Sequence, residues 1–173
     1  MTRCPDCGTP LRVRRNRRYR YRESGLDQVV LTGIRTYWCP KCRQESPEIP
    51  NILGLHREIA IMLVSKPSPL TPAEFRFLRK EMGLKAKDLA PLLGTTDVNL
   101  SRWETGNTPI NPAADRLLRL LYTLHTIQAG RAIEPANFVQ AALKTLETIA
   151  STRRPKPLAL RIPAQEVAGA GAR

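Results

Sequence analysis

The sequence predicts a small β-rich domain built around four cysteines, followed by an all-α domain of short helices. Three observations carry that expectation. The only cysteines fall in two C-x2-C pairs near one end. The stretch after residue 70 is punctuated by helix-cap residues, prolines and glycines at short intervals. The positive charge is concentrated in the cysteine-bearing part and in the last residues.

The chain has 173 residues, 42% of them apolar and 5% aromatic. That composition suits a globular protein and excludes wholesale disorder. No run approaches the length of a membrane span. Met1-Thr2-Arg3-Cys4-Pro5 has no apolar stretch behind its charge, so a signal peptide is not expected and a cytoplasmic protein is. Lys plus Arg is 28 against 15 Asp plus Glu, a net charge of +13. Residues 1–44 carry +8 of it and residues 151–173 carry +4. Such a balance favours a polyanionic partner, nucleic acid above all.

Cys4, Cys7, Cys39 and Cys42 place 31 residues between the two pairs. In a cytosolic chain this pattern points to a structural Zn2+ site, one ion per chain, rather than to disulfides or redox C-x2-C motifs. Each C-x2-C knuckle offers two thiolates on one side of an ion, and two knuckles complete a tetrahedral S4 set with no open position for catalysis. Pro5, Gly8 and Pro40 suit the tight turns. Between the knuckles, Arg18 to Arg22 alternate Arg and Tyr, the period of a half-buried strand. Val29–Leu31 and Ile34–Trp38 predict two more strands, with Thr32-Gly33 as a turn. A domain of about 45 residues is too small to stand on apolar burial alone, so metal should hold it together. From Arg12 to Arg22, 7 of 11 residues are Arg. Arg14, Arg15, Arg17, Arg18, Arg20 and Arg22 are candidate contacts to phosphate or to an acidic partner, or else a solvated strand face.

Residues 47–70 read as a linker with a short helix, Leu55, Ile59, Met62 and Leu63 sharing a face. His56 reads as a surface residue rather than a fifth ligand. Thr71-Pro72-Ala73-Glu74 is a capping-box start, followed by Phe75, Leu78 and Met82 at helical spacing and stopped by Gly83. The next helix spans about Lys85–Leu93, with Leu89, Leu92 and Leu93 expected inward and Gly94 ending it. A third begins with Thr96 as N-cap and closes at Thr105-Gly106. Short helices with glycine turns, one of them polar-faced, make a helix-turn-helix. With Leu100 and Trp103 inward, Thr96, Asp97, Val98, Asn99 and Arg102 are left as candidate DNA-binding residues in the major groove.

A further helix follows Asn111-Pro112, with a wide apolar surface of Leu117, Leu118, Leu120, Leu121, Leu124 and Ile127. Part of it should complete the core and part could form a homodimer seam matching a two-fold, palindromic operator. Another helix is expected over about 135–150, with Phe138, Ala142, Leu146 and Ile149 on one side, and a disordered basic tail over 151–173. The fold class is then a small α+β zinc-binding domain (1–46), a linker (47–70), an all-α helix-turn-helix domain (71–127), an additional helix (128–150) and a tail.

Cys4-Pro5-Asp6-Cys7-Gly8 with Tyr37-Trp38-Cys39-Pro40-Lys41-Cys42 resembles the zinc domain of the MqsA/YgiT antitoxins of type II toxin–antitoxin systems. Phe77 to Leu84 and Leu100-Ser101-Arg102-Trp103-Glu104-Thr105-Gly106 resemble their Xre/Cro-type helix-turn-helix. The resemblance covers about residues 1–127. It implies a dimeric repressor that binds palindromes of double-stranded DNA in its own promoter, and a zinc domain that neutralises a small mRNA-cleaving toxin protein. It also implies base reading by an Asn and an Arg of the recognition helix. Arg102 matches the Arg; Asn99 stands one position off, where Val98 falls instead. Lys85-Ala86 stands where such domains often have Ser-Gln. Two other readings stay open, a stand-alone regulator with no toxin and a zinc-dependent protein-interaction adaptor. An enzyme is not expected, because no nucleophile–base pair or carboxylate cluster stands out.

Overall fold

The computed structural model describes residues 2–128 and 160–163. They fall into two compact units, residues 1–56 with 158–173, and residues 57–157.

In the first unit, β1 (Arg12–Arg20) and β2 (Val29–Trp38) form an antiparallel ribbon. β3 (Glu45–Pro47) pairs antiparallel with Thr36–Trp38. Thr32-Gly33, expected as a turn between two strands, lies inside the single strand β2. The reason is a pair of offsetting bulges. Register moves by one residue between Arg14↔Thr36 and Arg17↔Ile34, and moves back between Arg17↔Ile34 and Tyr19↔Leu31. Asn16 (φ 54) supplies the extra residue of β1 and Gly33 (φ 71) that of β2. Directly paired residues share a face. Arg12, Arg14, Arg17 and Tyr19 therefore lie on the side of the buried Leu31, Ile34 and Thr36. Val13, Arg15, Arg18 and Arg20 lie on the other. Without the second bulge, Leu31 would fall on the face opposite Ile34 and Thr36.

Three expectations for this unit change. Pro47, expected to open the linker, is the last residue of the strand Glu45–Pro47. His56 is half-buried, its Nε2 2.9 Å from the Tyr21 hydroxyl. Within the segment read as a disordered tail, Leu160–Pro163 form β4, which pairs parallel with Val29–Thr32. An apolar-polar alternation of only four residues is too short a signal to separate from coil in an Ala- and Pro-rich stretch.

The linker residues hold a 14-residue helix, α1 (Ile52–Ser65), started by Asn51, whose Oδ1 accepts from the Gly54 N–H at 2.8 Å. Leu55, Ile59 and Leu63 are fully buried as their spacing predicts.

In the second unit, α2 (Pro72–Glu81), α3 (Ala86–Leu92), α4 (Asp97–Thr105) and α5 (Pro112–Gln128) follow at the expected places. The Thr71 capping box forms as predicted: the Glu74 N–H donates to Thr71 Oγ1 at 3.3 Å, and the Thr71 N–H to Glu74 Oε2 at 2.7 Å. Gly83, Gly94 and Gly106 all take positive φ at helix ends. A lysine side chain has no acceptor, so α3 is capped from one side only, by Asp88 reaching back to the Lys85 N–H. The core gathers Phe75, Phe77, Leu78, Leu89, Leu100, Trp103 and Leu118, with Phe75 and Trp103 edge-to-face at 6.1 Å. Leu92, expected inward, is 53% exposed. It closes a seven-residue helix that ends at Pro91-Leu92, so its last position points past the core.

Two buried ion pairs stand in this apolar setting. Lys66 pairs with Glu74. Arg119, 1% exposed, donates through Nε to Asp115 Oδ1 at 2.6 Å, and its other nitrogens reach the carbonyls of Leu63, Val64, Lys66 and Ser68. Asp115 Oδ2 accepts from the Leu70 N–H at 2.6 Å. One guanidinium thus satisfies the unpaired carbonyls at the end of α1 and favours that helix's negative end. On α5, Leu118 is buried, Leu117 and Leu121 are half-buried, and Leu120 and Leu124 are exposed. The side chain of Ile127 and the helix expected over about 135–150 lie outside the described residues.

Candidate metal centre and nucleic-acid interface

The two cysteine knuckles repeat one backbone pattern. The Cys4 N–H donates to Thr9 O and Cys4 O accepts from the Gly8 N–H, both at 2.9 Å. The Cys39 N–H donates to Gln44 O and Cys39 O accepts from the Arg43 N–H, again at 2.9 Å. Each turn needs a left-handed residue at its fifth position: Gly8 (φ 69) in the first, Arg43 (φ 58) in the second. Glycine adopts that conformation freely and arginine at a cost.

The turns bring all four sulfurs within 4.8 Å of one another. Cys4 and Cys42 Sγ are 3.9 Å apart, and Cys7 and Cys39 Sγ 3.5 Å. None of the four is disulfide-bonded. A tetrahedron with Zn–S bonds of about 2.3 Å has edges of about 3.8 Å, and the observed separations bracket that value. Cys4, Cys7, Cys39 and Cys42 form a single structural zinc site, with Cys4 and Cys39 buried and all four ligands supplied by the protein. The electrostatics favour a cation at the centre. The Thr9 hydroxyl and amide hold the Cys7 thiol down at about 6. Its hydrogen bond to Cys7, with desolvation, pushes the Cys42 thiol up to about 12. Four crowded sulfurs resist a second negative charge until a dication neutralises them.

Beside this site runs the basic ribbon. Arg14 stacks on Trp38 at 4.3 Å, and Arg14 and Arg17 each lie 4.0 Å from Glu45. Arg15, Arg18, Arg20 and Arg22 have no ion-pair partner among the described residues, and all four are exposed.

In the second unit, α4 is held from beneath and along one flank. Leu100 and Trp103 are buried. Glu104 takes a two-pronged bond from Arg79 of α2, at 2.5 and 2.7 Å, and Arg79 Nη1 also donates to Leu84 O at 2.7 Å. The Glu104 hydrogen bonds raise the Arg79 guanidinium above its ordinary value. This fork fixes α4 against α2 and so sets the aim of its outer face. Both residues lie within the two motifs of the helix-turn-helix, but opposite charges 25 positions apart carry no local signal that pairs them.

The residues expected to face DNA divide. Thr96 is the N-cap, its Oγ1 accepting from the Asn99 N–H at 3.2 Å. Asp97 is exposed and its Oδ1 accepts from the Val98 N–H at 2.9 Å. Val98 and Arg102 are exposed one turn apart. Asn99 is half-buried, and its Nδ2 donates to Thr95 Oγ1 at 2.9 Å. Ser101, not anticipated from sequence, is exposed beside Arg102. The outer stripe is therefore Asp97, Val98, Ser101, Arg102 and Thr105.

No helix among the described residues is long and apolar enough to cross a membrane. A family model described as the antitoxin component of bacterial toxin-antitoxin system, MqsA, matches residues 2–126, which take in both the cysteine cluster and the helix-turn-helix. No curated protein and no solved structure matches the chain. The chain belongs to the MqsA antitoxin family, of DNA-binding, non-catalytic transcriptional regulators.

Proposed function

We propose that this antitoxin is an autoregulating cytoplasmic repressor. Two copies present α4 to successive major grooves of a palindromic operator in their own promoter, about 34–36 Å apart. Arg102 reads a guanine or grips a phosphate, with Val98 and Asp97 beside it and Thr96 and Asn99 ordering the start of the helix. The exposed Leu120 and Leu124 of α5, beside the half-buried Leu117 and Leu121, supply a seam for the second copy. The zinc unit holds a small toxin, and the exposed Arg15, Arg18, Arg20 and Arg22 favour an acidic face on that partner or phosphates on DNA.

The observation that carries this reading is the outer face of α4: polar and exposed, clamped through Glu104 by the Arg79 fork and floored by Leu100 and Trp103. Fluorescence anisotropy with duplexes tiling the region upstream of the gene, at physiological salt with excess random competitor, tests it. One palindromic tile should bind tightly. Arg102→Ala should lose about 1–3 kcal/mol of discrimination while keeping its helical signal. Equal, salt-sensitive binding to every tile, or a mutant that discriminates as the parent does, overturns the reading.

A further inference from the structure

Among the exposed side chains of α4, Asp97, Ser101, Arg102 and Thr105 are polar or charged, and Val98 is the one aliphatic residue. It is 58% exposed. A single exposed aliphatic residue is unremarkable on a protein surface. The place of this one is not. It stands in the first turn of α4, whose N-terminal residues are the ones that meet base edges in a helix-turn-helix. It lies four residues before Arg102, so the two side chains are neighbours on one stripe.

Asn99, the other candidate for base reading, is turned away from that stripe. Its side-chain amide is tied to Thr95 Oγ1 and its backbone N–H to the Thr96 hydroxyl. Val98 thus occupies the reading position with no hydrogen-bonding group at all. Its β-branched side chain is stiff, so its two methyl groups present a fixed apolar surface. In the major groove adenine, guanine and cytosine offer polar atoms, and covering those with methyl groups removes water and puts nothing in its place. Thymine alone offers an apolar group, its 5-methyl.

We infer that Val98 is a specificity-determining residue that reads a thymine 5-methyl group in each half-site. The inference rests on the major-groove docking of α4 proposed above. One helical turn rises about 5.4 Å, and a base pair about 3.4 Å, so this thymine lies within about two base pairs of the nucleotide met by Arg102. The recognition pattern is then a polar contact from Arg102 beside an apolar one from Val98, and the operator carries a fixed thymine there.

The experiment is a uracil scan of the operator tile, read by competition anisotropy with the full-length zinc-bound protein. Each thymine is replaced singly by deoxyuridine, which removes the methyl and alters no hydrogen-bonding atom. One thymine per half-site should lose about fourfold in affinity, the worth of one buried methyl group. In Val98→Ala, which keeps a good helix former at an exposed site, that position should become indifferent to uracil while the dependence on Arg102 persists. Specific operator binding with no uracil-sensitive thymine sinks the Val98 assignment and leaves the docking intact. A uracil effect that persists in Val98→Ala gives the methyl to another residue and also overturns it. If no tile is bound specifically, the docking itself fails.

Discussion

The two units hold themselves together by different means. In residues 57–128, Phe75, Leu78, Leu89, Leu100 and Leu118 are sealed from water, and the buried charges are paired within that core. In residues 2–56 the buried apolar set is Tyr21, Leu26, Val29, Leu31, Ile34 and Leu55, with much of β1 exposed arginine. Four sulfurs do there what side-chain burial does in the helical unit. The lesson is that a domain can carry a dense positive surface when its stability comes from a metal. It then has no need of a second apolar face.

Removing the metal should separate the units most. With chelator, or in Cys39→Ser, the first unit loses a contribution of about 10 kcal/mol or more. Hydrogen exchange should then show Val29–Trp38 unprotected while α2–α5 keep their circular-dichroism signal. Simultaneous loss of both would show that the units do not stand apart. The converse variant, Arg119→Met, leaves Asp115 and four carbonyls without their guanidinium. Breaking a buried pair costs about 3–5 kcal/mol. The helical unfolding midpoint in urea should drop accordingly, with zinc content unchanged at one per chain. A smaller effect sharpens the comparison within the metal unit. Arg43→Gly relieves a left-handed arginine and should stabilise the holo protein by about 0.5–1 kcal/mol in a thermal melt. Gly8→Ala, at the matching turn, should do the reverse, and its cost is purely conformational because an added Cβ there meets nothing within 4 Å.

What the sequence made legible was what neighbouring residues encode. Two C-x2-C pairs announce a site because each knuckle is a closed local turn. Thr71 with Glu74, and Gly83, Gly94 and Gly106, mark helix ends through contacts three or four residues away. The rest depended on distant partners. Gly33 looks like a hairpin turn until Asn16, on the facing strand, offsets its bulge. Arg119, amid leucines, looks like a solvated residue until the end of α1 surrounds it with carbonyls. Leu92 follows the helical period faithfully and still faces water, because α3 stops under it. At the reading helix, spacing named Val98, Asn99 and Arg102, but only the Thr95 contact distinguished Asn99 from the other two.

β4 gives the first unit an unusual order of assembly. Its cysteines, β1, β2 and β3 are translated first, then residues 57–157, and only afterwards Leu160–Pro163. While the ribosome works through residues 57–157, zinc can already join the knuckles, but the Val29–Thr32 stretch of β2 has no partner on one side. An open strand edge invites pairing with any extended chain nearby, including another nascent copy on the same message. The strand that ends this exposure arrives late, so the time taken to translate residues 57–157 sets how long the edge stays available.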